Sequence, residues 1–293
     1  MSFSIQTDTS ANLPTDLLRQ EEITATPFPY AVNGRQYACT DTQEFDGARF
    51  YDAMRRGAQV TTSLVAPQQY RDSFRRALEA GLDVLFVGMS SGISGSFASA
   101  ELAAQELREE YPGRNICTVD SLGASLGTGL LVLRAVECRR SGVGVEETAR
   151  LLLGLRQRVC QVFTVDDLRY LRRGGRISNV AAIAGTVLHI KPLLKGDPEG
   201  HIVLFAKVRG RKRSIAALAE RYEALAEHAG TQTVGIAHAD CPEDAAALGQ
   251  MLMRSKKPPA HILEVCYEPV TGSHVGPGAL ALFFIGGTDV RKK

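Results

Sequence analysis

The sequence predicts an α/β protein of two domains. An N-terminal parallel-sheet α/β domain is expected over residues 1–158 and a C-terminal α+β domain with a mixed sheet over residues 159–293. Three observations predict it. In the first half, strand-like and helix-like segments alternate, which implies parallel strands joined by right-handed crossovers. In the second half, two strand-like runs flank a short turn-rich loop, the pattern of a hairpin within mixed elements. The 293 residues suffice for two ordinary domains, and 44% hydrophobic with 23% charged residues is the balance of a folded globular chain rather than a disordered one.

Element by element, Ser4–Thr7 reads as a short strand, ending in Asp8-Thr9-Ser10-Ala11-Asn12-Leu13-Pro14. Pro14 is suited to opening a helix through Leu17 and Leu18. Helices are expected over Asp46–Arg56 and over Pro67–Ala80, where Tyr70, Phe74, Ala77 and Leu78 recur at helical spacing. Asp83–Gly88 is a continuous apolar run, typical of a strand covered on both faces. A helix from Ser96, a strand over Asn115–Val119 and an apolar helix over Leu122–Arg140 complete the first domain. In the second, strands are expected at Val159–Val165, His189–Leu194, His201–Val208, Thr233–His238, His261–Tyr267 and Ala279–Ile285. Helices are expected at Asp166–Arg172, Val180–Leu188, Arg211–His228 and Glu243–Met253. No internal repeat stands out.

Composition narrows the function classes. Lys plus Arg number 34 against 32 Asp plus Glu, so a net charge of +2 gives no reason to expect a nucleic-acid partner. Aromatic content of 6% without Trp also argues against base-stacking platforms. The start MSFSIQTDTS lacks the basic and apolar regions of a secretory signal, so a cytoplasmic location is expected. The uncharged run Pro269–Thr288 contains two prolines, five glycines and His274, so loop plus strand is expected rather than a membrane span. The six cysteines form no CxxC pair, so no metal is expected, and reduced thiols are. His238-Ala239-Asp240-Cys241 lacks further ligands and reads as a strand-end loop. No Walker-type loop or G-x-G-x-x-G occurs, so no cofactor is expected.

In a parallel sheet, ligands sit beyond the carboxyl ends of the strands. That rule selects the loops after Thr7, Gly88 and Val119, all rich in Ser, Thr, Asp or Gly. The second of them, Gly88-Met89-Ser90-Ser91-Gly92-Ile93-Ser94-Gly95-Ser96, is the most informative. It enters a helix start, where free N–H groups and the positive dipole end favour an anion or a carboxylate. Its serines add donors beyond what simple capping by Ser94 needs. The same loop holds Gly88-Met89-Ser90-Ser91-Gly92, a G-x-S-x-G after a strand, and with His274 downstream it raises a serine hydrolase as the alternative. Thr61-Thr62-Ser63 before Pro67 is a weaker donor cluster, explained equally by capping. Thr271–Gly278 reads as an irregular glycine-rich loop in which His274 donates a hydrogen bond, acts as a base or is structural. Arg172, Arg173 and Arg176, with Arg209 later, form either a solvated face or a positive patch for phosphate or an acidic partner. A lipid-sensing regulator using that patch is a third reading.

Taken in order, these segments resemble the DegV family of bacterial fatty-acid-binding proteins. Asp8–Pro14 is similar to its D-S/T-x-x-D/N-L-P string, and Thr62, Ser63 and Pro67 match part of T-S-Q-P-S-P. Ser90–Phe97 matches S-S-x-L-S-G-T/S-Y/F, and Asp120–Leu131 matches D-S-x-x-x-S-x-G-x-G-x-L. Leu168–Ser178, Lys191–Leu194, Lys207–Gly210 and Gly272–Gly278 match L-x-x-L-x-R/K-G-G-R-I-S, K-P-I/L-L, K-x-R-G and G-x-H-x-G-P-G. The resemblance implies a long-chain fatty acid held between two α/β domains, its tail in an apolar tunnel of the second. It implies that Thr62 and Ser94 bond the carboxylate beside the Gly95 N–H, with His274 completing the network. It further implies no catalytic activity in the chain itself. A separate ATP-dependent kinase makes the acyl phosphate, and Arg172, Arg173, Arg176 and Arg209 are candidates to face it. Val180–Leu188 is a candidate tunnel wall or plain core. Burying a sixteen-carbon tail is worth on the order of 10 kcal/mol gross. The tail therefore dominates affinity, while the head group still needs hydrogen-bond partners.

Overall fold

A computed structural model describes residues 3–177 and 189–292. The chain divides into two units, one of Met1–Phe45 with Val60–Arg156, the other of Asp46–Gln59 with Gln157–Lys293. A single boundary near residue 158 does not describe this division, because residues 46–59 belong with the second unit.

In the first unit, β1 (Phe3–Asp8) leads through α1 (Thr15–Gln20) to β2 (Ile23–Thr26). Next come β3 (Phe28–Val32) and β4 (Arg35–Cys39). The chain visits the second unit as α2 (Gly47–Arg55) and returns as β5 (Val60–Thr62). Then follow α3 (Pro67–Glu79), β6 (Asp83–Gly88), α4 (Ser96–Glu110), β7 (Ile116–Asp120), α5 (Leu126–Arg140) and α6 (Val145–Leu155). The main sheet is parallel, in the order β2-β1-β6-β7. Helices cover it, so every residue of β6 is buried. Pro67 opens α3 at its first turn, and α3 buries Tyr70, Phe74, Ala77 and Leu78. The Tyr70 and Phe74 rings pack on Phe86 with centroids at 5.1 and 5.4 Å. A smaller antiparallel sheet has the order β4-β3-β5. The helix expected from Leu122 begins at Leu126, because Leu122 and Ser125 take left-handed φ values of 54° and 52°. Gly129 lets α5 approach the turn after β1, since a Cβ there would lie 2.8 Å from the Ala11 carbonyl oxygen.

The second unit runs through β8 (Val159–Thr164), α7 (Arg169–Gly174), β9 (Ile190–Gly196), β10 (Ile202–Arg209) and α8 (Arg211–Leu225). It continues as β11 (Thr233–His238), α9 (Pro242–Met253), β12 (His261–Cys266), α10 (Pro269–Val275) and β13 (Leu280–Ile285). The sheet order is β10-β9-β8-β13-β11-β12, mixed, with the expected hairpin at β9 and β10 and parallel pairing of β11 with β12. Leu218 and Tyr222 of α8 and Leu248 of α9 pack on Ile236, Leu282 and Phe284 to form the core. The short helix expected over Asp166–Arg172 lies at Arg169–Gly174. The loop expected over Thr271–Gly278 is a helix through Val275, opened by Pro269 and capped by Glu268, which accepts N–H bonds from Val270 and Thr271 at 2.6 and 2.7 Å. The Val180–Leu188 segment lies outside the described residues. Among the described residues, no helix is long and apolar enough to cross a membrane.

α2 is tied to the second unit by specific bonds. Buried Tyr51 donates its hydroxyl to the Tyr267 carbonyl at 2.7 Å, and Arg55 pairs with Asp240.

Candidate functional site

The order β2-β1-β6-β7 sends the chain from β1 to one side and from β6 to the other. A switch of that kind opens a crevice at the carboxyl ends of the two central strands. Asp8 ends β1, and the Met89–Gly95 loop leaves β6 at the same end.

The loop is held from within. Ser90 N–H donates to the Gly123 carbonyl at 2.7 Å, and the Ser90 carbonyl accepts from Ile93 and Ser94 at 3.2 and 3.1 Å. Asp120, at the end of β7, accepts from the Ser91 hydroxyl at 2.6 Å and from the N–H groups of Ser91 and Leu122 at 3.2 and 3.0 Å. The Asp-Ser after β7 therefore fastens the serine loop. No side chain caps exposed Gly95 at the start of α4, and Ser94 Oγ accepts the Ser96 N–H at 3.2 Å. A Cβ on Gly95 would reach 3.4 Å from Leu64, itself half exposed. Thr62 is half-buried at the end of β5, paired with Tyr30 of β3.

Behind the loop lies a polar network that reasoning from sequence did not single out. Ser96 Oγ accepts from Ser94 Oγ at 3.2 Å and from Val65 N–H at 3.1 Å. Tyr70 donates to Asp8 Oδ2 at 3.2 Å, and Asp8 Oδ1 accepts the N–H of Ser10 at 3.0 Å and its hydroxyl. Burial pushes the Asp8 carboxyl up to about 6, against the downward pull of the Ser10, Tyr70 and Met89 donors. Burial, and then Asp8 itself, hold Tyr70 well above the usual phenol range.

His274 belongs to the second unit, on the last turn of α10, whereas Thr62, Ser94 and Gly95 belong to the first. Burial, with the positive charges of Arg176 and Arg173, pushes His274 down to about 4. α7 packs closely enough on α10 that a Cβ at Gly174 would overlap the imidazole, lying 3.1 Å from its Cε1. Gly276, at φ 80°, likewise leaves room for the Tyr170 ring, which lies under the Arg173 guanidinium. Arg172 and Arg173 are exposed and Arg176 half-buried around the end of α7, while Arg209 is exposed at the end of β10 opposite Ile190.

The nucleophile elbow is not built. Ser90 is 0% exposed, its hydroxyl accepts the Gly92 N–H at 3.1 Å, and the helix begins at Ser96 rather than directly after the serine. Among the described residues no His, Cys, Asp and Glu cluster could hold a metal ion.

Fold and site define a two-unit α/β protein with a serine-rich loop at the switch point of a parallel sheet. The family model described as "Uncharacterised protein, DegV family" matches residues 2–287, and the chain belongs to the DegV family. A DegV domain-containing protein of Clostridium perfringens is 36% identical over 286 residues, covering 98% of both chains. Among solved structures, a fatty-acid-binding DegV family protein of Thermus thermophilus matches with a TM-score of 0.89 at 32% identity, covering 98% of this chain and all of its own. DegV of Bacillus subtilis, described as a fatty acid binding protein, matches with a TM-score of 0.82 at 29% identity over 98% of this chain and 100% of that one.

Proposed function

We propose that this protein binds a long-chain fatty acid and presents its carboxylate to a separate ATP-dependent kinase, without catalysing a reaction itself. The carboxylate accepts hydrogen bonds from the hydroxyls of Thr62 and Ser94 and from the Gly95 N–H, and the family pattern adds His274. The observation that carries the reading is a helix start at an exposed glycine beside a half-buried serine, at the switch point of a parallel sheet, in a chain 32% identical to a fatty-acid-binding DegV protein. Neutral donors satisfy a carboxylate without neutralising it. Its oxygen then remains nucleophilic toward the γ-phosphoryl of ATP, giving acyl phosphate and ADP. Arg172, Arg173, Arg176 and Arg209 supply positive charge toward the kinase.

Native mass spectrometry of the purified chain is expected to show a co-purified acid of fatty-acid mass. A protein that stays ligand-free and does not bind added palmitate overturns the reading. Removing one donor to a charged group costs about 1.5–3 kcal/mol, so Thr62→Ala and Ser94→Ala should each weaken carboxylate-dependent phosphorylation roughly 10–100-fold. Arg173→Glu with Arg209→Glu should impair acyl-phosphate formation by the kinase and leave palmitate binding intact.

A further inference from the structure

The amides of the serine loop are almost all spent inside the protein. Ser90 N–H goes to the Gly123 carbonyl at 2.7 Å, Ser91 N–H to Asp120 at 3.2 Å and Gly92 N–H to Ser90 Oγ at 3.1 Å. Ile93 and Ser94 donate to the Ser90 carbonyl, and Ser96 donates to Ser94 Oγ. Among the described residues of this loop, Gly95 alone keeps its N–H uncommitted. The side chain beside that N–H is not polar. A Cβ on Gly95 would touch Leu64 Cδ2 at 3.4 Å, and Leu64 is 50% exposed. Single exposed leucines are ordinary on protein surfaces, and Leu102 of α4 and Leu151 of α6 are of that kind. Leu64 differs because its backbone is pinned on both sides. Ser63 N–H bonds the Pro29 carbonyl at 3.3 Å, and Val65 N–H bonds Ser96 Oγ at 3.1 Å. The Val65 side chain is fully buried, which leaves its neighbour Leu64 in the open beside Gly95. All of these residues belong to the first unit.

A carboxylate oxygen that accepts from Gly95 stands about 2.9 Å from the nitrogen. The carbons that follow the carboxyl group then begin within reach of the Leu64 methyls. We propose that Leu64 is a specificity-determining residue of the carboxylate site: it covers the second and third carbons of the bound acid and selects hydrocarbon over a polar substituent there. The inference rests on the assignment of Gly95 to the carboxylate. Two effects act in the same direction. An unsubstituted chain covers a leucine that otherwise stands half in water, so apolar area leaves solvent on both sides of the contact. A hydroxyl on the second carbon, turned toward Leu64, loses its water and finds no partner on that side chain. The isobutyl group also keeps water from the Gly95 hydrogen bond, and a bond in lower dielectric is stronger. The class of ligand selected is therefore the unsubstituted alkanoic acid. The class disfavoured is the 2-hydroxy or 2-amino acid, which offers the same carboxylate with a polar group behind it.

The test is calorimetric titration of the full, delipidated chain with palmitate and with each enantiomer of 2-hydroxypalmitate. One enantiomer turns its hydroxyl toward Leu64, and wild-type protein is expected to bind it about tenfold more weakly than palmitate. Leu64→Gln removes apolar cover and supplies a partner for the hydroxyl. Palmitate binding should fall about tenfold, and the preference over the weaker enantiomer should shrink below about threefold. The conservative Leu64→Met, unbranched but apolar, should restore the preference. A merely structural leucine would not produce this pattern, because its loss weakens both ligands alike. Equal binding of palmitate and both hydroxy acids by wild type, an undiminished preference in Leu64→Gln, or no recovery in Leu64→Met overturns the inference and leaves the carrier reading standing. Absence of palmitate binding by wild type sinks both.

Discussion

Gly272→Ala is expected to reverse the usual sign of a glycine-to-alanine change in a helix. Gly272 lies inside α10, where propensity alone favours Ala by about 1 kcal/mol. Space decides otherwise. A methyl at Gly272 overlaps the Tyr51 hydroxyl and stands 2.8 and 3.1 Å from Cζ and Cε1 of that ring. Tyr51 is buried and cannot swing into solvent. Overpacking costs about 1–3 kcal/mol, and displacing the hydroxyl leaves the Tyr267 carbonyl with only the weak Cys266 thiol donor at 3.7 Å, for about 1–2 kcal/mol more. After the propensity gain, a net loss of about 1–4 kcal/mol remains. Tyr51→Phe alone should cost about 1–2 kcal/mol, because it removes the 2.7 Å bond to Tyr267 and little packing. In the double variant that bond is lost once rather than twice and the worst overlap is gone. Its destabilisation should fall short of the sum of the two singles by about 1–2 kcal/mol. Urea unfolding of the four proteins with a shared m-value measures the cycle. A stabilised Gly272→Ala, or strict additivity, would refute the reasoning and with it the close docking of α2 beside α10.

The buried carboxyl of Asp8 gives a pH dependence of stability. Its folded value is raised from 3.8 to about 6, so the native state holds this proton more tightly than the unfolded chain, and the contribution to stability is lost as pH rises between those values. Asp8→Asn should stabilise the protein by up to about 3 kcal/mol at pH 8 and by almost nothing at pH 3.5; thermal unfolding across that range checks it. For His274 the sign is opposite. Its folded value of about 4 means that stability is lost as pH falls from 6.5 toward 4, and the imidazole proton should titrate near 4 by NMR rather than near 6.5. Replacing Arg173 and Arg176 by Gln should raise that midpoint. Gly174→Ala should push the imidazole out of its place and cost about 1–3 kcal/mol, with the titration midpoint of His274 moving back toward the ordinary value.

What could be read from sequence followed the range of the interactions involved. β6 was legible because a strand covered on both faces needs a run of consecutive apolar or small positions, here Val84–Gly88, and α3 because Pro67 and the Tyr70–Phe74–Ala77 spacing are local signals. The strands β2 to β5 were not legible: β4 is mostly exposed, and such short strands are specified by their partners rather than by their own pattern. His274 looked like a loop residue because glycines surround it. In the helix those glycines answer to distant neighbours, Gly272 to Tyr51 and Gly276 to the Tyr170 ring. The same distinction explains the site. Ser94 and Gly95 announce themselves in a dense local motif, whereas the partnership of Asp8 with Tyr70 spans 62 positions and leaves no spacing to notice. Yet Asp8 ends the strand beside the switch point, and the rule that selects the serine loop selects this residue as well. An acid at that position is costly unless donors meet it. Four converge on it here, among them the hydroxyl of Tyr70 from α3. Strand order therefore points to buried polar side chains at the ends of the central strands, which no contiguous motif reveals.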